Sequence, residues 1–83
     1  MVKIIYTNKF EKEFKKSDTS VKKKALKQLG KIMENPKIGK PLKYDLKGER
    51  TVYVKPFRII YSFSKEENTI YFLRFEHRKE VYS

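Results

Sequence analysis

The chain has 83 residues, a mass of 10.0 kDa and a formal net charge of +11, from 21 Lys and Arg against 10 Asp and Glu. That length allows one domain over residues 1–83, and a chain so short buries only about 60% of its unfolded surface. Zero Cys and one His exclude a disulfide framework, a zinc finger and a thiol nucleophile, and no metal or other cofactor is expected.

No apolar run approaches the roughly 20 residues that span a bilayer, and the N-terminus lacks a signal-peptide pattern. A soluble cytoplasmic protein without membrane contact is the expectation. High charge leans toward disorder, but 6 Phe and 6 Tyr, clustered with Ile and Val, argue for a packed core.

The first element is a short strand, Val2-Lys3-Ile4-Ile5-Tyr6. Asn8 with Glu11 three residues on reads as a capping box, and Phe10 and Phe14 share a helical face. This helix stops near Ser17. Ser17 or Asp18 can cap a second helix, in which Val21, Ala25, Leu29, Ile32 and Met33 form an apolar stripe. Asn35-Pro36 ends it, because the residue before proline avoids the helical region. The joint is short, so the two helices form a hairpin.

Pro36, Gly39, Pro41 and Gly48 punctuate a connecting loop. Three β-rich blocks follow: 50–55, 57–64 and 69–77. Their short links favour antiparallel neighbours. Alternation puts Ile59, Tyr61 and Phe63 on one face of the middle block. It puts Tyr71, Leu73 and Phe75 on one face of the last block, and Ile70, Phe72, Arg74 and Glu76 on the other. Arg58 and Arg74 could both face away from the helices, depending on register. The fold class is α+β: an N-terminal strand and a helical hairpin packed on a small antiparallel sheet.

The charge is divided by kind. Residues 1–48 hold 14 Lys, no Arg and 5 acids, whereas residues 49–83 hold 3 Lys, 4 Arg and 5 acids. Lys23, Lys27 and Lys31 make a like-charge row at i, i+4, which costs about 0.2–0.5 kcal/mol per pair in an isolated helix. An anionic partner would offset that cost; a solvated, solubilising face is the plain alternative. Lysine suits long-range steering and arginine suits gripping phosphate. Tyr53, Phe57, Tyr61 and Tyr71 could stack on unpaired bases, though strand aromatics are mostly core. The signatures of common RNA-binding modules are absent. Composition and pattern alone reach a basic α+β domain that meets a polyanion.

Phe57-Arg58-Ile59-Ile60-Tyr61 and His77-Arg78-Lys79-Glu80-Val81-Tyr82 go further. With Asn35-Pro36, Gly39, Pro41-Leu42 and Leu46-Lys47-Gly48 in the same order, the chain resembles the RelE/ParE toxin superfamily, in particular its RelE-like members. The resemblance covers nearly the whole chain. It implies the toxin of a type II toxin–antitoxin pair, an endoribonuclease that cuts mRNA in the ribosomal A site. The 2′-hydroxyl attacks the adjacent phosphate and leaves a 2′,3′-cyclic phosphate. The implied partners are a RelB-like antitoxin, ribosomal RNA and mRNA, with operator DNA bound only through the antitoxin.

By this resemblance Arg58 and Arg78 neutralise the developing phosphate charge, and Tyr82 orients the nucleotide or assists proton transfer. The Lys-x-Lys pair of well-studied members is missing; the stretch reads Arg50-Thr51-Val52-Tyr53-Val54-Lys55. Arg50 or Lys55 could replace its charge, with Lys23, Lys27 and Lys31 as further RNA contacts. Arginine stays protonated, so His77 is the candidate base. Set against these roles, Arg58 could simply pair with Glu76 across the sheet, His77 could orient the C-terminal segment, and Tyr82 could be a packing residue. Two other functions stay open: a ParE-like DNA gyrase poison, and a non-catalytic module that binds RNA or an antitoxin.

Overall fold

The computed structural model describes residues 1–42 and 48–78. In chain order they form β1 (Lys3–Tyr6), α1 (Asn8–Lys16), α2 (Thr19–Glu34), β2 (Lys40–Pro41), β3 (Glu49–Val54), β4 (Phe57–Ser64) and β5 (Thr69–His77). The strands make one sheet in the order β1-β5-β4-β3-β2. β2 to β5 pair antiparallel, as short links demand, and β1 joins the edge parallel to β5. The sheet is therefore mixed rather than purely antiparallel. The intervening helices supply the crossover that a parallel pair requires.

The expected cap of α1 at Asn8 moves one residue back. Thr7 is the N-cap: its Oγ1 accepts from the Phe10 amide at 3.0 Å and donates to the Leu73 carbonyl at 2.7 Å. The hydroxyl thus ties the helix start to β5, which Asn8 could not do from inside the helix. Asp18 caps α2 as expected, accepting from the Val21 amide at 2.9 Å. Asn35 closes that helix, its N–H donating to the Lys31 carbonyl before Pro36.

Both helices cover one face of the sheet. Phe10, Val21, Ala25, Leu29 and Ile32 pack against Val54, Ile59, Tyr61, Ile70, Phe72 and Phe75, all buried. α1 lies mainly over β5 and α2 over β3. An apolar groove of about 200 Å³ runs along the helix pair, lined by Tyr6, Phe10, Phe14, Leu26 and Leu29.

The alternation expected for β5 is overturned. Ile60 pairs with Arg74 but Tyr61 pairs with Phe72, so Leu73 is an extra, bulged residue. The bulge shifts the phase of the strand. Ile70, Phe72 and Phe75 all reach the core, whereas simple alternation separates Phe75 from the other two. The Leu73 carbonyl is the one that Thr7 satisfies.

The loop after α2 also differs from expectation, because Lys40–Pro41 pairs with β3. Tyr61 fastens it. The hydroxyl donates to the Pro36 carbonyl at 2.7 Å and accepts from the Gly39 amide at 2.8 Å. Burial pushes the Tyr61 phenol above its ordinary pKa, which keeps it a donor. A Cβ at Gly39 would fall 2.5 Å from that oxygen, so glycine is required there. Leu46 and Lys47, part of the motif before the first long strand, lie outside the described residues.

Candidate nucleic-acid interface

On the other face of the sheet no helix packs among the described residues. With the bulge in place, this outer face carries Glu49, Thr51 and Tyr53 from β3. β4 adds Arg58, Ile60 and Ser62, and β5 adds Tyr71, Arg74 and Glu76. Arg58 sits opposite Glu76 on one side and opposite Tyr53 on the other. The bulge sets this register, and it brings Arg58 and Arg74 onto one face.

The charges there form a chain. Arg74 Nη2 contacts Glu49 Oε1 at 3.1 Å, and Arg74 Nε lies 3.4 Å from Glu76 Oε1. Arg58 Nη2 lies 3.9 Å from the same Glu76 oxygen. Two guanidinium ions thus face two carboxylates, and the pairing of Arg58 with Glu76 is real. The two arginines are not equally engaged. Arg74 makes a direct hydrogen bond to Glu49, whereas the Arg58 contact is a long ion pair; the buried Nε of both lacks a hydrogen-bond acceptor. A guanidinium offers five donors, so Arg58 keeps capacity its neighbours do not use.

Next to Arg58 the end of the sheet gathers further positive charge. Lys55 is exposed in the β3–β4 turn. Just beyond β5, the exposed Arg78 donates its backbone N–H to the Pro56 carbonyl at 2.8 Å. Arg58, Lys55 and Arg78 are therefore neighbours at one end of the sheet.

Other candidates are placed elsewhere. The ladder partner of His77 is Phe57, on the helix-covered side, and the two rings meet edge to face at 5.1 Å. His77 and Arg58 thus project from opposite faces. Arg50 also points to the helix side. Its guanidinium donates to the Gly39 carbonyl at 2.8 Å and the Lys37 carbonyl at 3.2 Å, clamping the loop after α2. Lys23, Lys27 and Lys31 are exposed on the solvent side of α2, with the helix layer and the sheet between them and Arg58. One ligand phosphate cannot touch both groups. Tyr82 lies outside the described residues.

Glu49 is the participant that sequence reading misses. It lies 25 residues from Arg74 and meets it only through strand pairing. No local spacing signals such a contact.

The fold and sequence both have known counterparts. Residues 4–82 match the family model described as "ParE toxin of type II toxin-antitoxin system, parDE". The fold superposes on RelE in the intact E. coli RelBE toxin–antitoxin complex with a TM-score of 0.82, at 15% identity over 93% of this chain and 96% of that one. The isolated E. coli RelE toxin gives 0.81 at 19% identity, over 99% and 92% of the two chains. A metal-bound toxin from Helicobacter pylori gives 0.76 at 28% identity, over 98% and 99%. No curated protein matches the chain. No helix among the described residues is long and apolar enough to cross a membrane. The match to the family model over nearly all of the sequence, on a RelE-like fold, makes the chain a member of the ParE toxin family of type II toxin–antitoxin systems, within the RelE/ParE superfamily.

Proposed function

We propose that the chain is a ribosome-dependent endoribonuclease toxin that cleaves mRNA in the A site. The observation that carries this is the grouping of Arg58, Lys55 and Arg78 at one end of the outer face, with Arg58 held by a long 3.9 Å ion pair to Glu76. A phosphodiester set there meets fixed positive charge without competition from the helix layer. Arg58 and Arg78 stabilise the charge that builds on phosphorus as the 2′-oxygen attacks and the 5′-oxygen leaves. Tyr82 follows Arg78 closely enough in sequence to serve the same nucleotide. His77 packs on Phe57 from the other face and so is not aimed at a phosphate held by Arg58.

The proposed inhibitor is a RelB-like antitoxin, acidic and amphipathic. The groove lined by Tyr6, Phe10, Phe14, Leu26 and Leu29 offers apolar surface, and Lys15 of α1 lies at its wall beside Glu11. Cytoplasmic action follows from a ribosomal target.

The test is cleavage of a defined mRNA with and without ribosomes. Cutting is expected only with ribosomes, and Arg58→Ala or Arg78→Ala should lower the rate on the order of 10²–10³-fold. Growth arrest with intact mRNA would overturn the reading.

A second reading, a DNA gyrase poison, draws on the family model's ParE description and on the charge balance of the outer face, where Glu76 and Glu49 answer Arg58 and Arg74. Gyrase-linked DNA breaks after induction would select it.

A further inference from the structure

We propose that Tyr53 is the stacking platform for the base flanking the phosphate held by Arg58. The inference rests on the nuclease reading above and adds the part of the substrate that the arginines cannot recognise. Of the four aromatics that the sequence offers as stacking candidates, Tyr53, Phe57, Tyr61 and Tyr71, the structure commits three elsewhere. Tyr61 is fully buried and holds the loop after α2. Phe57 lies flat on Phe75, with centroids 4.7 Å apart. The Tyr71 hydroxyl donates to the Glu67 carboxylate, and the shared hydrogen bond raises the phenol's pKa.

Tyr53 differs from all three. It is 57% exposed near the turn end of β3, and its ring contacts no other ring among the described residues. A single exposed aromatic is ordinary at a protein surface, so the weight falls on what stands beside it. Tyr53 and Arg58 are direct partners across β3 and β4, on the outer face. Such partners have Cβ atoms about 4.5–5.5 Å apart. Base and phosphate are joined through one sugar, so a ring and a guanidinium at that spacing can engage one nucleotide and its neighbour's phosphate.

The chemistry predicts which nucleic acid fits. Stacking needs an unpaired base with an open face, so the site takes single-stranded RNA and not a duplex. Every base offers a π-face, so Tyr53 discriminates weakly among bases. Arg58 reads the backbone, Tyr53 the presence of a base.

The test is equilibrium binding of a short single-stranded RNA to the full chain at low salt. The comparison RNAs carry one abasic residue, scanned along the sequence. For the wild type, one abasic position should weaken binding about 5- to 150-fold, the range of a single base–aromatic stack. Tyr53→Phe keeps the ring and should preserve that penalty. Tyr53→Ala should bind intact RNA as weakly as the wild type binds the abasic RNA, with no further loss on the abasic one. Arg58→Ala should weaken both RNAs equally. A wild type indifferent to abasic positions, or a Tyr53→Ala variant that still senses them, overturns the proposal. Ribosome-dependent cleavage by the same proteins is measured in parallel. Absence of cleavage removes the nuclease reading, while the abasic comparison still decides the role of Tyr53.

Discussion

The two faces of the sheet solve opposite problems with neighbouring residues. Ile59 and Phe75 are opposed partners sealed under the helices, and one step along each strand Arg58 and Glu76 are opposed partners on the outer face. The helix side is apolar and aromatic, with Phe10 in ring contact with Tyr6, Phe14, Phe72 and Phe75. The outer side is charged and only partly satisfied. A domain of 83 residues must draw its stability from the first face. The second is then free to carry groups chosen for recognition.

That division is open to attack. The largest effect belongs to the helix face: Phe72→Ala should cost about 3–5 kcal/mol in chemical unfolding, because a fully buried ring leaves a cavity. A loss under about 1 kcal/mol would mean that the core does not rest on this face. Arg58→Ala should do the reverse. Its unfolding free energy should fall by no more than about 2 kcal/mol, since the partner lost is a long ion pair and Glu76 keeps Arg74. Cleavage by the same variant should fall as stated above. A stability loss matching that of Phe72→Ala would make Arg58 a structural residue and break the contrast.

Tyr61→Phe sharpens the comparison within one strand. It strips the hydroxyl from the Pro36 carbonyl and Gly39 amide and should cost about 1–3 kcal/mol in thermal or urea unfolding, with cleavage little changed. Thr7→Val removes the cap of α1 and the hydrogen bond to the bulge together. A cost of about 0.5–2 kcal/mol is expected, with Thr7→Ser recovering most of it. Two-dimensional NMR of the valine variant should show its largest amide shifts at 72–74, where the phase of β5 is set.

The smallest effect is the pH response at Asp18. The Val21 amide, then the Ser20 hydroxyl, hold its carboxyl below the ordinary aspartate range. A lowered native pKa stabilises the fold above the unfolded value and loses that stabilisation as pH falls through the native one. Cooling of the melting temperature below about pH 4 should therefore be shallower in Asp18→Asn than in wild type.

Much of this was legible in the chain. The stripe from Val21 to Ile32, the cap at Asp18 and the stop at Asn35-Pro36 are local signals, and α2 runs Thr19–Glu34 as they require. The strands β4 and β5 have the expected limits, Phe57–Ser64 and Thr69–His77. Helix caps and turn residues act within a few positions, so sequence alone decides them.

The outer face was decided by tertiary structure. Its layout depends on the bulge at Leu73, held by a hydroxyl 66 residues away. Strict period-two reading assigns Phe75 and Phe72 to different faces and cannot see the slip. The same long-range pairing decides that Arg58 meets Glu76 and Tyr53, that His77 turns to the helix side, and that the α2 lysines serve another surface. The sequence determined which residues are charged, aromatic or helical. Strand register, which no neighbour in sequence controls, determined which of them stand together.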